Sequence, residues 1–326
     1  MDRRSLLAIA ALGALTAALS TLTAAQAQTW PQRNVRFIVP LGPGSGVDIG
    51  ARLLAERLAV KWGKPVVVEN KPGGDAIVAI SAFTGANDDH TLLMAPTSTF
   101  TAHPFLHEKL PYDARDLIPI ARVSNTVIAV GVPAAAGINS VNDLIARAKA
   151  EPGKLNSASA TGANDFVVTG YLKQSGADIT RVPYRDTVQA VNDLAEERIQ
   201  LYVAAFAIMR PQVQAGKVKL IAITNSERAP ILPDLPTVKE AGHPGLTIDG
   251  LVGLFGPRDM PKALRDRVAA DVMAVAGDPE IAAKISATGQ IVRPGGPEEF
   301  AKDIEEQTKV VSESAAAAGV KRMLQN

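Results

Sequence analysis

Short apolar runs rich in β-branched residues alternate with longer stretches whose apolar positions recur at helical spacing, almost to the end of the chain. The runs at 35–39, 66–68, 91–94, 127–132, 155–158, 181–182, 199–203, 220–224 and 251–255 predict strands. Helices are predicted over 48–62, 141–150, 165–174, 188–194 and 262–276, with Ile49, Leu53, Leu54, Leu58 and Trp62 sharing one face of the first. Pro297, with Glu298 and Glu299 in the first turn, starts a C-terminal helix whose buried stripe is Phe300, Ile304 and Val311. Strands alternating with helices throughout predict an α/β chain. No extended Pro/Gly/Ser linker divides it, so any two domains are joined by strands or short loops that act as a hinge.

The segment VRFIVPLGPGSGVDIGARLLAERL is a strand, a glycine-rich turn and a helix in succession. Gly42, Gly44 and Gly46 permit a tight turn and close approach to a ligand, and the helix start that follows favours an anion. A counterpart lies about a hundred residues on, where 155–158 leads through Ser159, Ala160, Thr161, Gly162, Ala163 and Asn164 into a helix. Two such helix starts facing each other would clamp a carboxylate from both sides, through the amides of Ser45, Gly46, Thr161 and Gly162. Neither loop contains Arg or Lys to do this by charge.

The first 27 residues carry Arg3 and Arg4, an apolar stretch and an Ala25-Gln26-Ala27 cleavage pattern, which predicts an exported chain starting near Gln28. Thr16, Ser20, Thr21 and Thr23 dilute that stretch against the rival reading of a membrane anchor. The arginine pair leaves both the general and the twin-arginine export routes open. Beyond residue 27 there are 32 basic and 32 acidic residues, a balance that gives no nucleic-acid footprint. The absence of cysteine excludes disulfides, thiolate catalysis and thiolate metal ligation.

Other chemistries find less support. The glycine turn resembles a dinucleotide fingerprint, but the third glycine of that pattern falls on Val47, and no Gly-Lys-Ser/Thr follows for a phosphate loop. His90, His103, His107 and His243 are scattered, and Pro104 between His103 and His107 argues against one helical metal face, so they read as loop histidines. Asp88-Asp89 reads as a loop cap before a strand. No G-x-S-x-G elbow occurs, and no nucleophile, base and electrophile are grouped, so neither a catalytic residue nor a cofactor or metal is assigned.

Taken together, IVPLGPGSGVDIGARLLAERL, VVVENKPGG, HTLLMAP, LPYDARDLIPIARV, AKAEPGKLNSASATG, VPYRDTVQAVNDL, AGKVKLIAITNSER and LPDLPTVKEAGHPGL resemble the tripartite tricarboxylate transporter receptors, the Bug family of periplasmic solute-binding proteins. The resemblance implies a two-domain Venus flytrap fold of the type II-like binding proteins, closing on a small organic carboxylate that is passed to membrane permease subunits. It implies crossovers near Ser124 and Asp249, so that 28–124 with 250–326 form one domain and 125–249 the other. The protein is expected to be monomeric and periplasmic. A sensing receptor and, more remotely, a periplasmic α/β enzyme stand as alternatives.

Carried over residue by residue, the resemblance makes Leu41, Pro43, Gly44, Ser45, Gly46 and Asp48 the first ligand loop, with Asp48 capping the helix. Ser159, Thr161, Gly162, Ala163 and Asn164 form the opposing loop. Thr97, Ser98, Tyr184, Asp186 and Ala204 line the rest. The chain departs from the family pattern at Gly42, where a proline is usual, and at Asp75-Ala76, which interrupt a glycine run. His103 stands for an asparagine, Asp186 for a glycine and Ala204 for an aspartate, so the resemblance does not carry ligand identity.

Overall fold

The computed structural model describes residues 30–159, 162–184 and 186–324; the segment expected to direct export, residues 1–27, lies outside them. Two sheets organise the chain. The first contains β1 (Val35–Val39), β2 (Val66–Asn70), β3 (Thr91–Pro96), β4 (Ile118–Thr126), β10 (Gly250–Gly256) and β11 (Gln290–Gly295), in the order β11-β4-β10-β3-β1-β2. The second contains β5 (Ile128–Pro133), β6 (Leu155–Ser159), β7 (Ile179–Arg181), β8 (Leu201–Ala205) and β9 (Val218–Ile223), in the order β7-β6-β8-β5-β9. Each holds a parallel trio, β2-β1-β3 and β7-β6-β8, bordered by one antiparallel strand. That bordering strand always arrives from the other sheet: β4 runs directly into β5, and β9 reaches β10 through 224–249. The chain thus passes between the sheets twice.

Ten helices cover the faces: α1 (Gly46–Trp62), α2 (Ile77–Ala86), α3 (Thr97–Leu106), α4 (Val141–Ala150), α5 (Ala163–Ser175), α6 (Thr187–Ala195), α7 (Phe206–Gln214), α8 (Lys262–Ala276), α9 (Pro279–Ala287) and α10 (Pro297–Ala318) among the described residues. Period-two alternation divides the first sheet's core. Val35, Phe37 and Val39 of β1, with Leu92 and Met94 of β3, pack under α1 and α8. Ile38, Leu93 and Ala95 point the other way, onto Phe83 of α2 and Phe300 of α10. Because both faces are covered, these strands read as unbroken apolar runs, not as alternation.

Several expectations change. The buried face of α1 is Val47, Ala51, Leu54, Ala55, Leu58 and Trp62, while Ile49 and Leu53 are only half-buried at its edge. Strand β4 was not predicted because it carries Arg122, Ser124 and Asn125, all buried. Arg122 is accommodated by ion pairs to Asp303 and Glu299 and by donating to the Arg293 carbonyl. Helices α3 and α7 contain Pro104 and Pro211 inside their spans, which hid them from a reading that stops helices at proline.

Candidate functional site

In each sheet the parallel trio ends on one side, and the carboxyl ends of its first and third strands lead straight into helices. These starts are α1 after β1, α3 after β3, α5 after β6 and α7 after β8. First-turn amides of a helix have no intrahelical acceptor, so each start offers N–H groups and a positive dipole end. The starts converge. A Cβ built on Gly162, before α5, would stand 3.3 Å from the Ser98 carbonyl oxygen at the start of α3. One built on Gly289 would meet Phe206 and Ala207 of α7 at 3.5 and 3.6 Å, and one on Gly46 would meet Gln290 Nε2 at 2.7 Å. Residues 288–290 therefore sit between the starts of α1 and α7, and Arg210 of α7 clasps the Ala287 carbonyl with two 3.0 Å bonds. Nothing in the sequence reading singled out this segment; the glycine at 289, with φ +88, was its one available signal.

The first loop is cross-linked by its own hydrogen bonds, and its capping differs from expectation. Ser45 is the N-cap, accepting from the Asp48 amide at 3.2 Å. The Asp48 carboxylate is 2% exposed and turns back into the loop, where it accepts from the Gly44 amide (2.8 Å), Asn70 Nδ2 (2.8 Å) and Arg52 Nε (3.0 Å). Burial raises its pKa, but Arg52, Gly44 and Asn70 together outweigh burial and hold it below the usual carboxylate range. Asn70 also donates to the Leu41 carbonyl, tying the loop to the end of β2. The Ser45 amide turns to the Gly42 carbonyl at 3.3 Å, which leaves the amides of Gly46 and Val47 as the first turn's outward donors. Gly44 is the left-handed residue of the loop, φ +85, and Pro43 beside it is exposed.

In the opposing loop Ser159 closes β6 opposite Val203, and Thr161 lies outside the described residues. Gly162 is the N-cap of α5 with φ +87. Ala163 packs in one apolar cluster with Ala102 and Phe105 of α3 and Val311 and Ala315 of α10, so α3 and α5 share packing behind their starts. Asn164 is 7% exposed. Asp165 pairs with Arg181 at 2.6 Å, which joins this loop to the end of β7.

The remaining expected residues divide. Ser98 is half-buried at the start of α3, against Gly162. Thr97 is fully buried and its hydroxyl points inward to Gln307, so it cannot line a cleft with that group. Tyr184 donates to Asp193 at 2.6 Å, and burial together with that carboxylate pushes its hydroxyl up to about 12. Asp186 is the exposed N-cap of α6, accepting from the Val188 amide. Neither is brought against the helix starts by any of these contacts. Ala204 is fully buried between the second sheet and its helices, among Ala129, Tyr202 and Val191, and lines no cleft; Ala205 points the opposite way.

Two histidine-bearing clusters outside these starts bear on the sequence expectations. His103 is not a loop residue: it is buried in α3, where its Nε2–H donates to the Asp75 carbonyl (2.8 Å) and its Nδ1 accepts from the Tyr112 hydroxyl (2.5 Å). Asp88, Asp89 and His90 have ligand atoms within 4.8 Å of one another. Asp88 caps the loop by accepting from the His90 amide, and the His90 ring is held between Asp89 and the Gln32 amide.

The sequence profile of the tripartite tricarboxylate transporter family receptor matches residues 50–318. BugT of Bordetella pertussis is 29% identical over 255 residues, which cover 77% of this chain and 78% of BugT. An R. palustris protein solved with adipate superposes with a TM-score of 0.78 at 27% identity, covering 89% of this chain and 99% of its own. MatC from Rhodopseudomonas palustris with bound malate superposes with a TM-score of 0.70 at 26% identity, covering 86% and 100%. Among the described residues no helix is long and apolar enough to cross a membrane. The α/β architecture is that of the periplasmic binding proteins, and the chain belongs to the tripartite tricarboxylate transporter receptor family.

Proposed function

We propose that the protein is exported, loses residues 1–27 and works in the periplasm as a monomeric receptor. It captures a small organic carboxylate between two lobes and delivers it to tripartite membrane permease subunits. The lobes are 28–124 with 250–326, and 125–249, each built around one sheet. The observation that carries this reading is the meeting of helix starts from the two sheets, Gly162 against Ser98, with Gly46 and Phe206 on either side of 288–290. Such starts bind anions through backbone N–H groups and dipole ends without needing a cation. Support comes from the relatives solved with adipate and with malate. Binding by amides, partly through ordered water, suits a receptor whose ligands vary beyond a shared carboxylate.

A thermal-shift screen of mono-, di- and tricarboxylates and aromatic acids, with adipate and malate first, tests the reading. A ligand at a hundred times its Kd stabilises the native state by about 2.7 kcal/mol, and calorimetry then gives the affinity. Small-angle scattering is expected to show compaction at saturation. Equal binding of an acid and its fully esterified analogue would overturn the carboxylate assignment, and an unchanged radius would overturn lobe closure.

A further inference from the structure

The hydroxyl of Thr97, in the first turn of α3, donates to Gln307 Oε1 at 2.6 Å, and Thr101 one turn on donates to the same oxygen at 3.3 Å. Thr97, Thr101 and Gln307 are 0%, 4% and 6% exposed. Gln307 lies on α10, and its Nε2 donates to the Asp249 carbonyl at 2.8 Å. Asp249 ends the second crossover. Its carboxylate accepts from the Ser226 amide (3.1 Å) and hydroxyl (2.7 Å), and at 3.5 Å from the side-chain amides of Asn125 and Asn225. Asn225 in turn holds the first crossover on both sides, donating to the Thr126 carbonyl at 2.9 Å and accepting from the Ile128 amide at 3.0 Å. A run of hydrogen bonds thus leads from a cleft-facing helix start, through Gln307, to both segments that join the sheets, while the Thr97 hydroxyl has a second, longer contact of 3.4 Å to the Leu251 carbonyl at the start of β10. Asn125 Oδ1, buried in that junction, has no hydrogen-bond partner, so the junction is not fully satisfied as arranged here.

We infer that Gln307 is a positioning residue that couples the start of α3 to the two crossovers, so that ligand at Ser98 and lobe arrangement report on each other. The inference rests on the cleft reading above. Physically, Gln307 has both of its functional atoms engaged in a buried site, Oε1 by Thr97 and Thr101 and Nε2 by the Asp249 carbonyl. Movement of the second crossover that carries the Asp249 carbonyl away therefore either breaks a buried bond or draws the Thr97 turn with it. A residue that only filled space between α10 and α3 would transmit nothing, which separates the two accounts.

The first experiment needs no ligand. Asp249→Asn is expected to speed hydrogen exchange at the amides of residues 100–102 by about fivefold, and to add nothing further in a Gln307→Leu background. Unchanged exchange at 100–102, or the same increment with and without Gln307, would overturn the inference. The second uses adipate, titrated calorimetrically. Thr97→Val and Gln307→Leu are each expected to weaken binding about tenfold, the double variant no more than either single one, and Thr97→Ser to bind like the wild type. Effects that multiply in the double variant would make the two residues independent and overturn it. Should Gln307→Leu fail to fold, Thr97→Val, a near-isosteric loss of one hydroxyl, replaces it as the background of the exchange experiment. If neither adipate nor malate binds the wild type, the ligand assignment fails while the exchange result still decides the role of Gln307.

Discussion

Gly162 and Ser98 follow strands of different sheets, β6 and β3, yet a single added carbon on the glycine would reach within 3.3 Å of the serine carbonyl. Their helices, α5 and α3, also share the cluster of Ala102, Phe105, Ala163 and Phe166, where the two phenylalanine rings meet edge to face at 5.7 Å. The two helix starts are therefore set against each other by packing, not by electrostatics. Anion-binding ends that would repel one another through their dipoles are held together by apolar contacts behind them, and an anion between them would relieve the repulsion.

Replacing Gly162 tests that placement. Any side chain there takes on the left-handed backbone, φ +87, and the approach to Ser98 together. Gly162→Ala is expected to cost about 1 kcal/mol of stability in urea denaturation and to weaken acid binding. Gly162→Leu is expected to abolish binding in a chain that remains folded by circular dichroism. Binding by the leucine variant at wild-type affinity would remove this loop from the site.

Gly44 and Gly46 separate two reasons for a glycine. Gly44 has φ +85 with open space around its Cβ position, so Gly44→Ala is expected to lower stability through backbone strain alone, by about 1 kcal/mol. Gly46 lies in the helix with no positive φ, but its Cβ would fall 2.7 Å from Gln290 Nε2 and 3.3 Å from Thr288 Oγ1. Gly46→Leu should therefore displace 288–290, disturbing the Gln290 bonds to Ser124 and Thr126 as well as the ligand amides. Calorimetry and denaturation on the two variants check this: Gly46→Leu is expected to lose both affinity and stability, Gly44→Ala mainly stability.

The pH dependence of stability follows from His103. Burial holds its pKa below the usual 6.5, with His107 adding to that and the Asp75 carbonyl opposing it. The unfolded chain takes up a proton near 6.5 that the folded one resists, so the stability owed to neutral His103 is complete above that value and lost as pH falls through the lower folded value. Burial lowers His243 in the same direction. The melting temperature is expected to fall between pH 7 and pH 5, less steeply in His103→Gln. Identical slopes in the two proteins would show that His103 does not set this dependence.

What could be read from the sequence was whatever local chemistry dictates. The first strand, α4 and α8 fall where periodicity puts them, and the glycine turns stand before helices as expected. The α/β class followed from alternation, and its division into two domains from the family resemblance. What escaped reading depended on distant partners. Thr97 reads as a pocket residue until Gln307, far along the chain, claims its hydroxyl. Asp48 reads as a helix cap until Asn70 and Arg52 are seen to surround it, and Ala204 reads as a wall until the second sheet buries it. Arg122 concealed a central strand because only folding supplies Glu299 and Asp303.

The departure at Asp75-Ala76 gives the last prediction. Gly73, Gly74, Asp75 and Ala76 follow one another at φ +115, +55, +51 and +68, so the chain keeps a left-handed course through four residues although two of them carry a Cβ. Aspartate tolerates that region better than alanine, and His103 steadies the turn by donating to the Asp75 carbonyl. Alanine has no such help. Its Cβ is buried among Ile38, Ile80 and Leu93, a small apolar gain set against backbone strain of about 1 kcal/mol or more. Ala76→Gly is therefore expected to stabilise the protein by about 0.5–1 kcal/mol, less the lost methyl contact, with ligand affinity unchanged. Urea denaturation of the variant and the wild type decides it: a loss of stability would mean that the buried methyl outweighs the strain, and that the turn is held by packing at Ala76 more than by His103.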